Sequence, residues 1–291
     1  MTHLSSRRIL RHAIASNAPA LPFRVERLLI MKILCVGDVV SAVGREMLFR
    51  YVDEMKYQKG IDLCIANGEN ATHGRGMARA AYNELMRAGV DIVTMGNHTW
   101  DCKEAADIMR KEDNVIRPAN YNSACPGKGS LIYTAKNGVK VGVINLIGKT
   151  YLEYAQDSPF DSADREIEKL KEKTNIIIVD FHAEATSEKL AMGFYLDGKV
   201  SAVFGTHTHV QTADEMILPN GTGYITDLGM TGVGLSILGR SVVPIVERFR
   251  TGMPQKFELA SGKGQMCGCI FDIDEQTGKC TDVERIFIRE P

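Results

Sequence analysis

Val200-Ser201-Ala202-Val203-Phe204-Gly205-Thr206-His207-Thr208-His209-Val210 carries an apolar run straight into two histidines one residue apart. The chain holds only seven histidines, so spending two of them here asks for a reason. In an extended chain, residues i and i+2 point to one side, roughly 6.6 Å apart at ~3.3 Å of rise per residue. Two imidazoles so placed can hold one metal ion, or one ion each of a close pair. The apolar run before them reads as a buried strand, which puts both histidines where a strand gives way to a loop.

The same event recurs along the chain. From Met31 onward, short apolar runs alternate with helical patterns, the signature of α/β architecture. "KILCVG" precedes Asp38 and a helix over 46–56, where Met47, Leu48, Tyr51, Val52 and Met55 share one face. "IDLCIANG" precedes Glu69 and Asn70, then a Gly-rich loop and a helix over 78–87; "VDIVTMG" precedes Asn97 and His98, then a helix over 103–110. Two runs around Asn137-Gly138 read as an antiparallel hairpin. Helices over 163–173 and 184–196 flank "NIIIVDF", which runs into His182, and the last third reads as β-rich, closing on two strands around 275–278. Five strands thus each end in a potential ligand or acid/base group. In α/β sheets the functional crevice lies beyond the carboxyl ends of the strands, so these groups are expected to converge.

Composition narrows the function classes. Lys+Arg (35) and Asp+Glu (36) nearly cancel, so net charge implies no nucleic-acid partner. No apolar run approaches the ~20 residues of a membrane helix, and a soluble protein without membrane contact is expected. Seven scattered cysteines, an odd number, argue against a disulfide framework and for a reducing, cytoplasmic compartment. Cys267-Gly-Cys269 reads as small core residues on one strand face. Residues 1–30 carry five Arg and one Glu without sustained periodicity; they read as a poorly structured extension before a single domain over 31–291. "PGKGS" at 126–130 matches part of a phosphate-binding loop, but the four-residue spacer and the following helix are missing, so a surface turn is expected.

The strand-end set mixes carboxylates, amides and imidazoles and includes no thiolate, which suits first-row divalent ions. It offers more ligands than one ion uses. Two ions ~3.5–4 Å apart, bridged by a carboxylate, would absorb them and suit in-line displacement at phosphorus.

The ordered set Asp38, Gly96-Asn97-His98, His182 and Gly205-Thr206-His207-Thr208-His209 resembles the calcineurin-like metallophosphoesterases. Their shared pattern is Asp…Gly-Asn-His…His…Gly-His-x-His. Here the usual opening Asp-x-His is "GDVV", without histidine, and the usual bridging Asp is Glu69 in "NGENATHGRG". That combination is similar to the YmdB-like branch, from Met31 to the C terminus.

The resemblance implies a four-layer α/β/β/α sandwich: two mixed sheets flanked by helices. It implies one metal on Asp38, Glu69, Asn70 and His209 and another on Glu69, Asn97, His182 and His207, with Glu69 bridging and Asn70 standing in for the missing histidine. His207 and His209, on a shared strand face, would each sit over one metal. His98 would stay off the metals and protonate the leaving oxygen while a hydroxide between the ions attacks phosphorus. The expected cofactor is two divalent or trivalent transition-metal ions, iron first, manganese or zinc next. The expected substrate is a phosphodiester, 2′,3′-cyclic nucleotides foremost. His73 and Arg75, a few residues past Glu69, are candidate phosphate contacts. Two other readings stay open: a regulatory or RNA-associated metal-binding protein with little catalysis, and a phosphomonoesterase using the same site. Homo-oligomerisation is also left open.

Overall fold

The computed structural model of the chain describes residues 29–291. The extension expected over 1–30 therefore lies, up to residue 28, outside the described residues. In chain order the elements are β1 Ile30–Val36, β2 Asp38–Val39, α1 Ser41–Lys59, β3 Leu63–Asn67, α2 Arg79–Arg87, β4 Ile92–Thr94, α3 Ala105–Lys111 and β5 Val115–Ile116. There follow β6 Ser130–Thr134, β7 Lys140–Ile147, α4 Pro159–Lys171, β8 Ile176–His182, α5 Thr186–Leu196, β9 Ala202–Thr206, β10 Met216–Ile217 and β11 Gly223–Ile225. The chain closes with β12 Met230–Val233, α6 Val242–Thr251, β13 Gly264–Asp274 and β14 Cys280–Arg289.

The strands form two mixed sheets. One runs β2-β12-β13-β1-β3-β4-β5, with β14 also on β13; the other runs β10-β11-β9-β8-β7-β6. β1, β3 and β4 are mutually parallel in the first sheet, and β7, β8, β9 and β11 in the second. The antiparallel pairing expected around Asn137-Gly138 is the β6–β7 hairpin. β1 begins one residue before Met31, because Ile30 pairs with Asp274.

Strand alternation builds the layers. Met31, Ile33 and Cys35 of β1 pack with Leu63, Ile65, Val143, Ile176, Ile178, Ala202 and Phe204 between the sheets. Leu34 and Val36 face the other way, onto Met47, Leu48, Val52 and Met55 of α1. Ile177, Val179 and Phe181 of β8 face Ile167 and Leu170 of α4 and Met192 and Leu196 of α5. Helix, sheet, sheet and helix are thus stacked as four layers. Each fully buried aliphatic side chain in the middle contributes about 1.5–3 kcal/mol, and Ile65→Ala would cost roughly 2–5 kcal/mol.

Three helices depart most from their sequence reading. α1 runs over Ser41–Lys59, past both ends of the 46–56 expected. α4 starts earlier than 163 because the Ser158 side chain accepts from the Asp161 amide at 3.3 Å and Pro159 opens the first turn. α6 lies in a region expected to be β-rich. Its β-branched Val242, Val243 and Val246 mimic a strand, and Ile245 is its one buried residue, so no core-facing stripe announces it.

At the carboxyl ends of the parallel strands the inter-sheet face turns polar. Leu63 and Ile65 give way to Asn67, Ile92 to Thr94, Ile178 to Asp180 and His182, and Phe204 to Thr206, all buried. The loops that follow these strands form the site.

Candidate metal centre and active site

Asp38 opens β2; Glu69 and Asn70 follow β3; Asn97 and His98 follow β4; His182 ends β8; His207 and His209 follow β9. The two sheets bring their side chains into two adjoining groups. In one, His182 Nε2 lies 2.8 Å from Asn97 Oδ1, 3.3 Å from Glu69 Oε1 and 3.0 Å from His207 Nδ1. One donor atom each from Glu69, His182 and His207 lie within 4.8 Å of one another. In the other, Asn70 Nδ2 lies 3.5 Å from Asp38 Oδ1, 3.3 Å from His209 Nε2 and 3.1 Å from Glu69 Oε1. Glu69 touches both groups.

The two loop histidines do not stand on a shared strand face. β9 ends at Thr206, and the backbone turns left-handed at His207 (φ 98°) and again at His209 (φ 64°). Such a conformation costs a non-glycine residue roughly 1–2 kcal/mol. Hydrogen bonds hold the turn in place. Asp227 Oδ2 accepts from the Thr208 amide at 3.2 Å and the Thr208 hydroxyl at 2.7 Å, and Asp38 Oδ2 accepts from the His207 amide at 3.0 Å. Asp227 is itself paired with Lys189 of α5, a lysine only 2 % exposed. Gly96 is required by close approach: a Cβ there would lie 2.4 Å from His182 Nε2 and 2.5 Å from Glu69 Oε2.

The donor set fits a cation. His182 Nδ1 donates to Thr206 Oγ1 at 2.9 Å, and that hydroxyl donates to Asp180 Oδ1 at 2.7 Å. This fixes the tautomer, so the Nε2 lone pair faces a carboxylate oxygen, an amide oxygen and a second imidazole nitrogen. Three acceptors around a lone pair call for a positive charge between them. In the metal-free chain a proton fills that role. Burial disfavours the charge on His182, but the Glu69 carboxylate outweighs it and raises His182 to about 9. Burial likewise opposes ionised Glu69, but His182 outweighs it and lowers Glu69 to about 2. Burial, then the His182 charge, pushes His207 down to about 3, so it stays neutral. His207 Nε2 lies 3.0 Å from Glu184 Oε2, which leaves Nδ1 turned to His182. His209 Nδ1 is buried with no hydrogen-bond partner among the described residues. Imidazole nitrogens oriented by outer carboxylates and hydroxyls are typical of metal ligands.

A cavity of about 640 Å³ opens over these groups, and Glu69, Asn70, His98, His207 and His209 line it. His98 donates its amide to Glu69 Oε2 at 2.8 Å, and its Nδ1 lies 2.8 Å from Asp101 Oδ2. Of the two candidate phosphate contacts, Arg75 lines the cavity, with its Nε 3.5 Å from Asp101. His73 does not line it: the chain turns left-handed there (φ 51°) and leaves the side chain exposed. Sequence reasoning missed Asp101, Asp180, Glu184, Lys189, Asp227, Arg240 and Phe257. Asp101, three residues after His98, and Asp180 and Glu184, each two residues from His182, had a local signal.

A family model described as "YmdB-like protein" matches residues 34–286. The chain is 50% identical over 260 residues to the 2′,3′-cyclic-nucleotide 2′-phosphodiesterase of Bacillus subtilis, covering 89% of this chain and 98% of the relative. It is 38% identical to a putative phosphatase/phosphodiesterase of Mycoplasma genitalium, covering 89% and 93%. Among solved structures it superposes on a phosphatase from Mycoplasma pneumoniae with TM-score 0.84 and 36% identity, covering 90% of this chain and 94% of that one. A hypothetical protein from Thermus thermophilus gives TM-score 0.83 and 40% identity, with 90% and 100% covered. The two-sheet fold is therefore that of metallophosphoesterase-type phosphatases, and the chain belongs to the YmdB-like family.

Proposed function

We propose that this phosphoesterase is a metal-dependent phosphodiesterase whose substrate is a 2′,3′-cyclic nucleotide. The observation that carries the metal site is the buried, thiolate-free cluster in which His182 Nε2 faces three acceptors. The relative at 50% identity, named for that substrate, supports the choice of diester. Asp38, Glu69, Asn70 and His209 would hold one ion; Glu69, Asn97, His182 and His207 would hold the second. The mixed oxygen and nitrogen set accepts iron, manganese or zinc. Such ions, when bound, supply Lewis-acid activation and neutralise charge at phosphorus.

The chain's own groups do the rest. Asp180, through Thr206, keeps His182 in the tautomer that presents Nε2. Glu184 does the same for His207 Nδ1. Asp101 holds His98 by Nδ1, leaving Nε2 to donate a proton to the departing alkoxide. The buried walls around Asp38, Glu69 and His182 exclude bulk water, which strengthens every charge interaction there. The seven unpaired cysteines support a reducing, cytoplasmic setting.

The test is a side-by-side panel of adenosine 2′,3′-cyclic phosphate, adenosine 3′,5′-cyclic phosphate and a phosphate monoester, with metal content measured on the same sample. The 2′,3′-cyclic substrate should be hydrolysed fastest. His98→Ala should keep its metal and lose about 10²–10⁴-fold in rate on that substrate, with a smaller loss on a nitrophenyl diester whose leaving group needs no proton. Preference for the monoester overturns the diester reading. Metal loss in His98→Ala overturns the general-acid role.

A further inference from the structure

The cavity has a second wall that the metal cluster does not explain. Val40, Gly74, Leu238, Arg240 and Phe257 line it beside the ligand groups. Leu238, Arg240 and Phe257 belong to the excursion between β12 and β13, whose two sides are tied together. Arg240 bridges Leu259 in antiparallel fashion, the Ser241 amide donates to Glu258 O, and the Ala260 amide donates to Gly239 O, both at 2.9 Å. Gly239 packs against Val40, where an added Cβ would lie 2.8 Å from Val40 Cγ1. A short ribbon is thereby fixed over the site.

The side chains on this ribbon are unusual for a surface. Phe257 is 40% exposed and Leu238 47%, apolar area left facing the cavity and solvent. The Arg248 guanidinium sits 4.9 Å from the Phe257 ring centroid and covers one side of that ring. Arg240 has no carboxylate partner among the described residues; its Nη2 donates to the Gly74 carbonyl oxygen at 3.3 Å. Burial, then the nearby Arg75 charge, pulls the Arg240 guanidinium below its ordinary pKa. Two arginines close enough to repel each other, beside an aromatic ring, form a surface that wants an anion joined to a flat, apolar group. A nucleotide is that combination. The cavity volume lies within the ~300–1,000 Å³ range of small-molecule sites.

We infer that the ribbon is a nucleoside-recognition element: Phe257 stacks on the base, Leu238 and Val40 flank it, and Arg240 with Arg75 pairs with the phosphate. This rests on the cyclic-nucleotide reading above and adds the residues that select for the base. A ring platform tolerates every base, because each has a π face. Preference among bases should therefore be weak, and preference for a base over none strong.

The experiment compares adenosine 2′,3′-cyclic phosphate with methyl riboside 2′,3′-cyclic phosphate, which lacks the base, using the metal-loaded full chain. Phe257→Ala should raise KM for the adenosine substrate by roughly 5- to 100-fold and shift KM for the baseless one by less than about 2-fold. Phe257→Trp should restore the adenosine KM. Arg240→Met should raise KM for both substrates. An equal effect of Phe257→Ala on the two substrates, or no effect on either, overturns the platform while leaving the phosphodiesterase intact. Failure of the unaltered chain to hydrolyse either cyclic phosphate refutes the cyclic-nucleotide reading, and the platform with it.

Discussion

Replacing Thr206 with valine removes one hydroxyl and almost no volume, yet that hydroxyl stands between His182 and Asp180. It accepts from His182 Nδ1 at 2.9 Å and donates to Asp180 Oδ1 at 2.7 Å. All three residues are fully buried, so water cannot stand in. Asp180 keeps Thr94 Oγ1 and Asn67 Nδ2 on its other oxygen, whereas His182 Nδ1 is left with no acceptor. A buried polar group stripped of its partner costs about 1–3 kcal/mol, more when charged. The two orphaned atoms together should cost about 2–5 kcal/mol, a melting shift on the order of 5–10 °C. An imidazole free to change tautomer should also bind metal roughly 10–100-fold more weakly. Thermal melts and metal titration of Thr206→Val, with Thr206→Ser as the variant that restores the hydroxyl, measure both effects. Wild-type metal affinity in the valine variant, or a serine variant as weak as valine, would refute the relay.

Other perturbations follow from the same geometry. Gly96→Ala places a methyl 2.4 Å from His182 Nε2 and 2.5 Å from Glu69 Oε2, and the displaced ligands should cost about 10²-fold in kcat/KM at unchanged expression. Lys189→Met leaves Asp227 buried without its cation, which should cost about 3–5 kcal/mol in a melt. The metal-free chain should respond to pH in a set direction. His182, raised from 6.5 to about 9, contributes stability that is complete below 6.5 and lost as pH rises through about 9. Glu69, lowered from 4.5 to about 2, contributes stability present above 4.5 and lost as pH falls through about 2. The pair is therefore most stabilising between about 4.5 and 6.5. A metal must displace the His182 proton, so apparent metal affinity should rise by about tenfold per pH unit towards pH 9, as read by titration at pH 6, 7 and 8.

The sequence made the site legible because its residues share one local event, the end of a buried strand. Asp38, Glu69, Asn97, His182 and His207 each follow an apolar run, and parallel strands carry their ends to one side. The supporting charges have no such signature. Lys189 is a charge in a helix with nothing nearby in sequence to say that it is buried, and Asp180 lies in the apolar run before His182; their partners, Asp227 in the loop between β11 and β12 and Thr206 at the end of β9, are distant in sequence. The left-handed turns at His207 and His209 were unreadable for the same reason. They depend on Asp227 and Asp38 reaching in from a distance, against the local preference of a non-glycine residue. The ribbon with Arg240 and Phe257 stayed hidden because α6 buries little and carries a strand-like run of valines.

Stoichiometric metal return to chelated protein, with hydrolysis of adenosine 2′,3′-cyclic phosphate followed in the same cuvette, is the most direct test of the cluster's role. Activity should be absent after chelation and return in proportion to bound ion, levelling off at two ions per chain, with His182→Ala failing to recover either metal or rate. Full activity without metal, or wild-type recovery in His182→Ala, would contradict a metal centre built on the strand ends.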